Sequence, residues 1–277
     1  MKIVDSCTAG VAGSSPVGRA NYSFSLTNQG WFLYWRTNVE PRYNAYMKKT
    51  PEQALREVFD EYKDRGIISL YLYGSILTKD YVEGESDIDS VGFAAEDVAL
   101  SLENEIKNRL CEKSGFDKFG FRILYKSELD TGIIKGNLAS FIHPQLLLLD
   151  FPHWKHVAGK VFSRSDSSLA EIDAAGAVRI RLNHLVKIED GSYKTAPGDG
   201  HILFLKVLAR IMFHLQKERG YNEPFSYSSV LSHSNEEEKP VAEAILNCKK
   251  DKWSETAFKE NSAVYRNYIS SLRNRFL

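Results

Sequence analysis

The chain opens its first regular pattern at Thr50-Pro51-Glu52-Gln53, after which Leu55, Val58, Phe59 and Tyr62 fall at i, i+3, i+4 and i+7. That spacing predicts a helix with one apolar stripe. Thr50 can cap it, Pro51 suits its first position, Gln53 completes a capping box and Gly66 ends it. The period then changes. Ile67 to Tyr73 is an unbroken β-branched and aromatic run, the mark of a buried strand. A turn-rich stretch from Lys79 to Ser86 leads to a second strand around Ile88 to Phe93. Residues 97–113 predict a helix with Leu102, Ile106 and Leu110 inside and Gly115 just past its end. Phe119 to Leu129 reads as a third strand, and the very apolar Gln145 to Asp150 as a short fourth.

Beyond about residue 165 the pattern is helical. Helices are predicted over 169–188, over 200–218 with Leu203, Val207, Ile211 and Met212 on the buried side, near 236–248, and over 253–274, with a loop at 190–200. Glu236, Glu237 and Glu238 read as a solvated first helical turn, and Trp253 and Tyr265 as core packing. The expected fold class is α+β: a small mixed sheet with flanking helices over 47–165, then a helical domain over 166–277.

Composition narrows the partners. The 277 residues are 43% hydrophobic and 26% charged, an ordinary globular balance. Lys+Arg and Asp+Glu stand at 36 each, so the basic excess that usually accompanies polyanion binding is missing, and a nucleic-acid partner is disfavoured. Cys7, Cys111 and Cys248 lie far apart without a CxxC pair and read as reduced thiols, neither a disulfide framework nor a zinc site. There is no apolar run of membrane-spanning length and no secretory-signal layout, so the cytoplasm is the expected compartment and no membrane partner is expected. Oligomeric state is not legible.

Residues 1–46 differ from the rest. Residues 1–30 are rich in Gly, Ser, Ala, Thr and Asn and carry no periodicity, so 1–46 reads as an irregular arm. Val11-Ala12-Gly13-Ser14-Ser15-Pro16-Val17 resembles the translation of a transfer-RNA gene's T-arm. The expectation is a start assigned too far upstream, with Met47 as the native beginning. A genuine arm whose Trp31 and Trp35 pack on the domain is the alternative.

The chemistry gathers at Tyr73-Gly74-Ser75, followed after eleven residues by Asp87-Ile88-Asp89. A strand running into Gly-Ser lets backbone come close to a triphosphate, because Gly has no side chain in the way and Ser adds a hydroxyl. Carboxylates at i and i+2 on a strand share a face, so Asp87 and Asp89 can hold the same metal ions. Hard Mg²⁺ favours such oxygen ligands and shares them with phosphates.

This order and spacing resembles the signature of the nucleotidyltransferase superfamily related to DNA polymerase β. The resemblance implies two Mg²⁺ ions on Asp87 and Asp89, and a triphosphate held by Gly74, Ser75 and Ser86. A third carboxylate would come from the next strand, but Arg122 stands near its place. Glu128 and Asp130 share the parity of Arg122 and become the candidates if that strand continues. In overall plan the chain loosely resembles the aminoglycoside adenylyltransferases, which join this fold to a C-terminal helical domain. That likeness makes Arg210, with Lys206 one turn earlier, candidates for binding ATP or another nucleoside triphosphate. A Lys those enzymes carry shortly after the helix has no match, since Phe225-Ser226 stands there. The expected function is Mg²⁺-dependent transfer of a nucleoside monophosphate, AMP from ATP, to a hydroxyl of an unidentified small molecule or protein. The alternative is a non-catalytic, antitoxin-like member that binds nucleotide or a partner for regulation.

Overall fold

The computed structural model describes residues 49–135, 143–192 and 199–277. The expected arm and the proposed start at Met47 lie outside the described residues. Helix α1 (Pro51–Tyr62) begins as its sequence predicts: Thr50 Oγ1 accepts from Gln53 N, and the Gln53 side chain accepts from Thr50 N. It leads into β1 (Ile67–Tyr73), a single 3-10 turn over Gly74–Leu77, a loop, and β2 (Ile88–Ala94). Helix α2 (Leu102–Ser114) and β3 (Phe119–Tyr125) follow.

Here the expectations need two corrections. The third strand ends at Tyr125, and the next residues form α3 (Lys126–Thr131). The apolar run expected as a fourth strand is helix α4 (Pro144–Asp150), with Pro144 in its first turn. Four consecutive leucines are good helix formers without the β-branching that favours a strand. The actual fourth strand is β4 (Lys155–Gly159), of which Val157 is the buried residue. Gly159 has φ of +82°, and a Cβ there would lie 2.2 Å from the Ile68 carbonyl oxygen, so only glycine lets this edge strand close on β1.

The sheet runs β3-β2-β1-β4, with β2 and β3 parallel and the other pairs antiparallel. On one face Leu70, Leu72, Ile88, Phe119 and Phe121 pack under α1 and α2. On the other, Tyr71, Val91, Phe93 and Leu124 pack against Leu148 and Phe151. Asp89 belongs to this second face. The helical part comprises α5 (Ala174–Glu189), α6 (Gly200–Glu218), α7 (Tyr227–Ser232), α8 (Lys239–Lys250), α9 (Glu255–Glu260) and α10 (Ser262–Phe276). The helix expected over 253–274 is broken at Asn261, and α7 was not foreseen. The molecule is thus α+β, a four-stranded mixed sheet with flanking helices and a helical C-terminal region.

That region has its own core around Leu182, Leu205, Leu208, Met212, Ile245 and Tyr265, all buried. Two expectations fail locally. Glu238 is buried, not solvated, and Arg219 donates to both its oxygens at 2.7 Å. Cys111 is disulfide-bonded and not a reduced thiol, while Cys248 is a buried free thiol.

Candidate functional site at the Gly74 turn

The β1 register sets the site. Tyr73 pairs with Asp89 across the antiparallel ladder, and the chain then turns at Gly74, where φ is +79°. A Cβ at Gly74 would stand 2.9 Å from Asp89 Oδ2, so the turn can press against this carboxylate only without a side chain. On the other side β3 pairs Gly120 with Asp89, and a Cβ there would lie 3.1 Å from Asp89 Oδ1. Asp89 therefore sits in a slot between two glycines. Gly120 escaped the sequence reading, though a lone glycine inside a strand is a signal of close approach.

Asp87 precedes β2 and is exposed, while Asp89 is largely buried. Burial pushes the Asp89 carboxyl up to about 6, and the neighbouring Asp87 charge adds to the rise. Lys206, Arg122 and Arg210 oppose it, Lys206 most strongly. The helical part thus brings both of its candidate cations to bear on the candidate metal carboxylate. Tyr73, half-buried next to Asp89, has its hydroxyl pushed above the ordinary tyrosine range, first by desolvation and then by the Asp89 charge.

A cleft of about 380 Å³, open to solvent, lies beside the turn. Tyr73, Gly74 and Thr78 line one wall, Asp150 and Trp154 a second, and Arg210 and Phe225 a third. Arg210 is fixed from two directions. Its Nη1 donates to Asp150 Oδ2 at 3.2 Å, and its guanidinium carbon lies 3.9 Å from the centre of the Phe225 ring. Phe225 thus supplies an aromatic face on which Arg210 rests. The loop before the carboxylates is tied across the cleft as well: Tyr227 N–H donates to Asp80 Oδ2 at 2.6 Å. Asp80, Asp150 and Phe225 carry no local sequence signal of these roles, because each contact joins residues distant in the chain.

The remaining candidates fall as follows. Ser75 lies in the 3-10 turn, and its carbonyl accepts from Thr78 N–H. Ser86 Oγ accepts from Val82 N–H at 3.0 Å and closes the loop ahead of Asp87. Glu128 and Asp130 are placed elsewhere, because the strand that would have carried them to the Asp89 face stops at Tyr125. Glu128 is buried in α3, where its two oxygens accept from Tyr125 N–H at 2.7 Å and Lys135 N–H at 2.6 Å. Asp130 pairs with Lys126 at 2.6 Å and accepts from Ser168 N–H. Neither is among the charged groups acting most on Asp89. On β3 the residues sharing the Asp89 face are Gly120, Arg122 and Leu124, none acidic. Arg122 itself is paired with Glu103 at 2.9 Å.

Whether this set suits Mg²⁺ can be judged from its donors. Asp87 and Asp89 are oxygen donors on one face, and Asp89 is raised by burial first and by the Asp87 charge second, both of which a cation would offset. The pair fits such an ion, with its other positions left to phosphate and water. No cluster of three or more His, Cys, Asp or Glu that could hold a metal occurs among the described residues. No helix among the described residues is long and apolar enough to cross a membrane.

No family model and no curated protein matches the chain. Among solved structures it is similar to spectinomycin adenyltransferase AAD(9) from Enterococcus faecialis, crystallised with ATP and spectinomycin. The two share 16% identity over 82% of this chain and 98% of that one, with a TM-score of 0.48.

Proposed function

We propose that the chain is a nucleotidyltransferase that moves a nucleoside monophosphate, AMP from ATP, onto a hydroxyl of a small molecule or protein. The observation that carries this reading is the Gly74 turn pressed against Asp89, with Arg210 facing it from the helical part across an open cleft. The turn offers backbone to phosphate, and Arg210, pre-set on Phe225 and Asp150, offers planar N–H donors to it. The Ser75 and Ser86 hydroxyls would add donors to the phosphates. Asp87 and Asp89 would hold Mg²⁺, which neutralises the triphosphate and favours ionisation of the acceptor hydroxyl.

In the transfer, the acceptor oxygen forms a bond to the α-phosphorus while the bond from that phosphorus to the bridging oxygen of the β-phosphate breaks. Pyrophosphate leaves, and the hydroxyl proton is released to water. Tyr73 and Trp154 wall the cleft and keep water from part of its surface. Lys206 and Arg210 balance charge on the departing pyrophosphate. The decisive assay incubates the protein with ATP labelled at the α-phosphate, Mg²⁺, and a panel of hydroxyl acceptors or a host lysate. Label transfer with pyrophosphate release, lost in Asp87→Ala and on adding EDTA, is the expected result. Turnover unchanged in Asp87→Ala refutes the metal role.

One observation favours a second reading. Beside Asp89, β3 presents Gly120 and Arg122 in place of an acid, so this strand adds no third carboxylate to Asp87 and Asp89. A regulatory member that binds nucleotide without turnover suits such a pair. Mg²⁺-dependent ATP binding by calorimetry without any labelled product would select it.

A further inference from the structure

We propose that Trp253 is the stacking platform for the base of the bound nucleotide, at the far end of a strip that runs along α6 from the cleft. This rests on the nucleotide-binding reading above and assigns the part of the ligand that the cleft residues do not touch. The backbone points to it first. Lys252 and Trp253 have φ of 49° and 61°, and among the described residues they are the only non-glycine residues with positive φ. Side chains seldom adopt this region, and where they do the surroundings hold them there, often beside a ligand. The holding contacts are plain. Trp253 N–H donates to the Cys248 carbonyl at 2.8 Å, and the Trp253 carbonyl oxygen lies 2.7 Å from His201 Nε2.

The side chain so fixed is half-buried and keeps electrostatic company of a particular kind. Tyr227 meets the indole at a steep angle, with ring centres 5.6 Å apart, and the Lys206 ammonium lies 5.9 Å from the indole centre. Lys206 is also the cation that acts most on Asp89. Lys206 and Arg210 are one helical turn apart, about 6 Å along the axis, on one side of α6. Passing from Gly74 and Arg210 to Lys206 and on to Trp253, the groups change from anion binders to an aromatic plane. A nucleoside triphosphate presents its complement in the same order, polyanion first and planar base last. Aromatic faces stack bases with little regard to sequence, and a cation over the ring reinforces the contact.

Calorimetry with the full chain in Mg²⁺ tests this, using ATP and inorganic tripolyphosphate as paired probes. Trp253→Leu is expected to weaken ATP about tenfold and leave tripolyphosphate unchanged, with Trp253→Phe falling between wild type and Trp253→Leu. ATP affinity unchanged in Trp253→Leu overturns the platform, and so does an equal loss for both probes, which would mark a purely architectural tryptophan. Wild-type protein that binds neither probe overturns the nucleotide reading itself, a different outcome. If Trp253→Leu does not fold, wild-type protein labelled with fluorotryptophan supplies the answer. Its Trp253 resonance, assigned by Trp253→Phe, is expected to move with ATP and not with tripolyphosphate; a resonance indifferent to ATP ends the proposal.

Discussion

Two pairs of acids, each spaced two residues apart, meet opposite fates in this molecule. Glu128 and Asp130 lie in α3 and are spent on structure: Glu128 accepts two backbone N–H groups and Asp130 binds Lys126 and Ser168. Asp87 and Asp89 stand at the mouth of β2, and among the described residues neither carboxylate has a hydrogen bond or ion pair. Burial raises both Glu128 and Asp89, but Asp89 is wedged between Gly74 and Gly120 without the backbone donors that offset the rise at Glu128. A carboxylate that satisfies backbone donors stabilises the fold, whereas one desolvated beside a like charge costs stability unless a ligand compensates it. The difference separates a supporting acid from a candidate site acid more sharply than spacing in the sequence does.

The strongest way to break the comparison is to neutralise Asp89. Asp89→Asn is expected to lower nucleotide transfer by on the order of 10³-fold while making the metal-free protein more stable at neutral pH. The sign follows from a folded value near 6 against an ordinary 3.8. The folded state binds the extra proton between those values, so stability is full below about 4 and is lost as pH rises through 6. In EDTA at pH 7 the variant should gain about 1–3 kcal/mol in urea unfolding, and the gain should vanish at pH 4. A loss of stability at pH 7 would mean that Asp89 is a structural acid like Glu128.

Glu128 should show the reverse. Glu128→Ala leaves the Tyr125 and Lys135 amides without their acceptor in a buried turn, at roughly 1–3 kcal/mol each. Thermal unfolding should therefore move well down, while the transfer rate per folded molecule stays within about twofold. A large fall in rate with stability intact would restore Glu128 to the site and erase the distinction drawn above.

Much of the site was legible because its signals are local. The apolar run into Gly74, the turn-rich gap and the Asp87-Ile88-Asp89 alternation each lie within a few residues, and strand parity alone puts the two acids on one face. What misled was continuity. Parity carried Glu128 and Asp130 to the Asp89 face only if β3 continued, and the chain turned helical at Lys126. Gln145 to Asp150 failed for a related reason, since a short apolar run fits a buried helix as well as a strand and periodicity cannot decide. The clamp on Arg210 was beyond reach altogether. Asp150 and Phe225 are 60 and 15 residues away in the chain, and nothing near either one marks a guanidinium as its partner.

Asp130 offers the finest test of the contrast, because its expected effect is the smallest. Its carboxyl is held below the ordinary range, first by the Lys126 hydrogen bond and then by Ser168 N–H. Lys126 is half-exposed, so solvent screens the ion pair, and Asp130→Asn keeps an oxygen for the Ser168 amide. The expected cost is within about 0.5 kcal/mol, with nucleotide affinity and transfer rate unchanged. Because the folded value is lowered, whatever stability the charge contributes is present above about pH 4 and lost on further acidification. The small difference between Asp130→Asn and wild type should therefore close at low pH, whereas for Asp89→Asn the closing gap is one in which the variant had been the more stable. Opposite signs at neutral pH from two aspartate-to-asparagine changes would show that environment, not residue type, divides the acids of this chain.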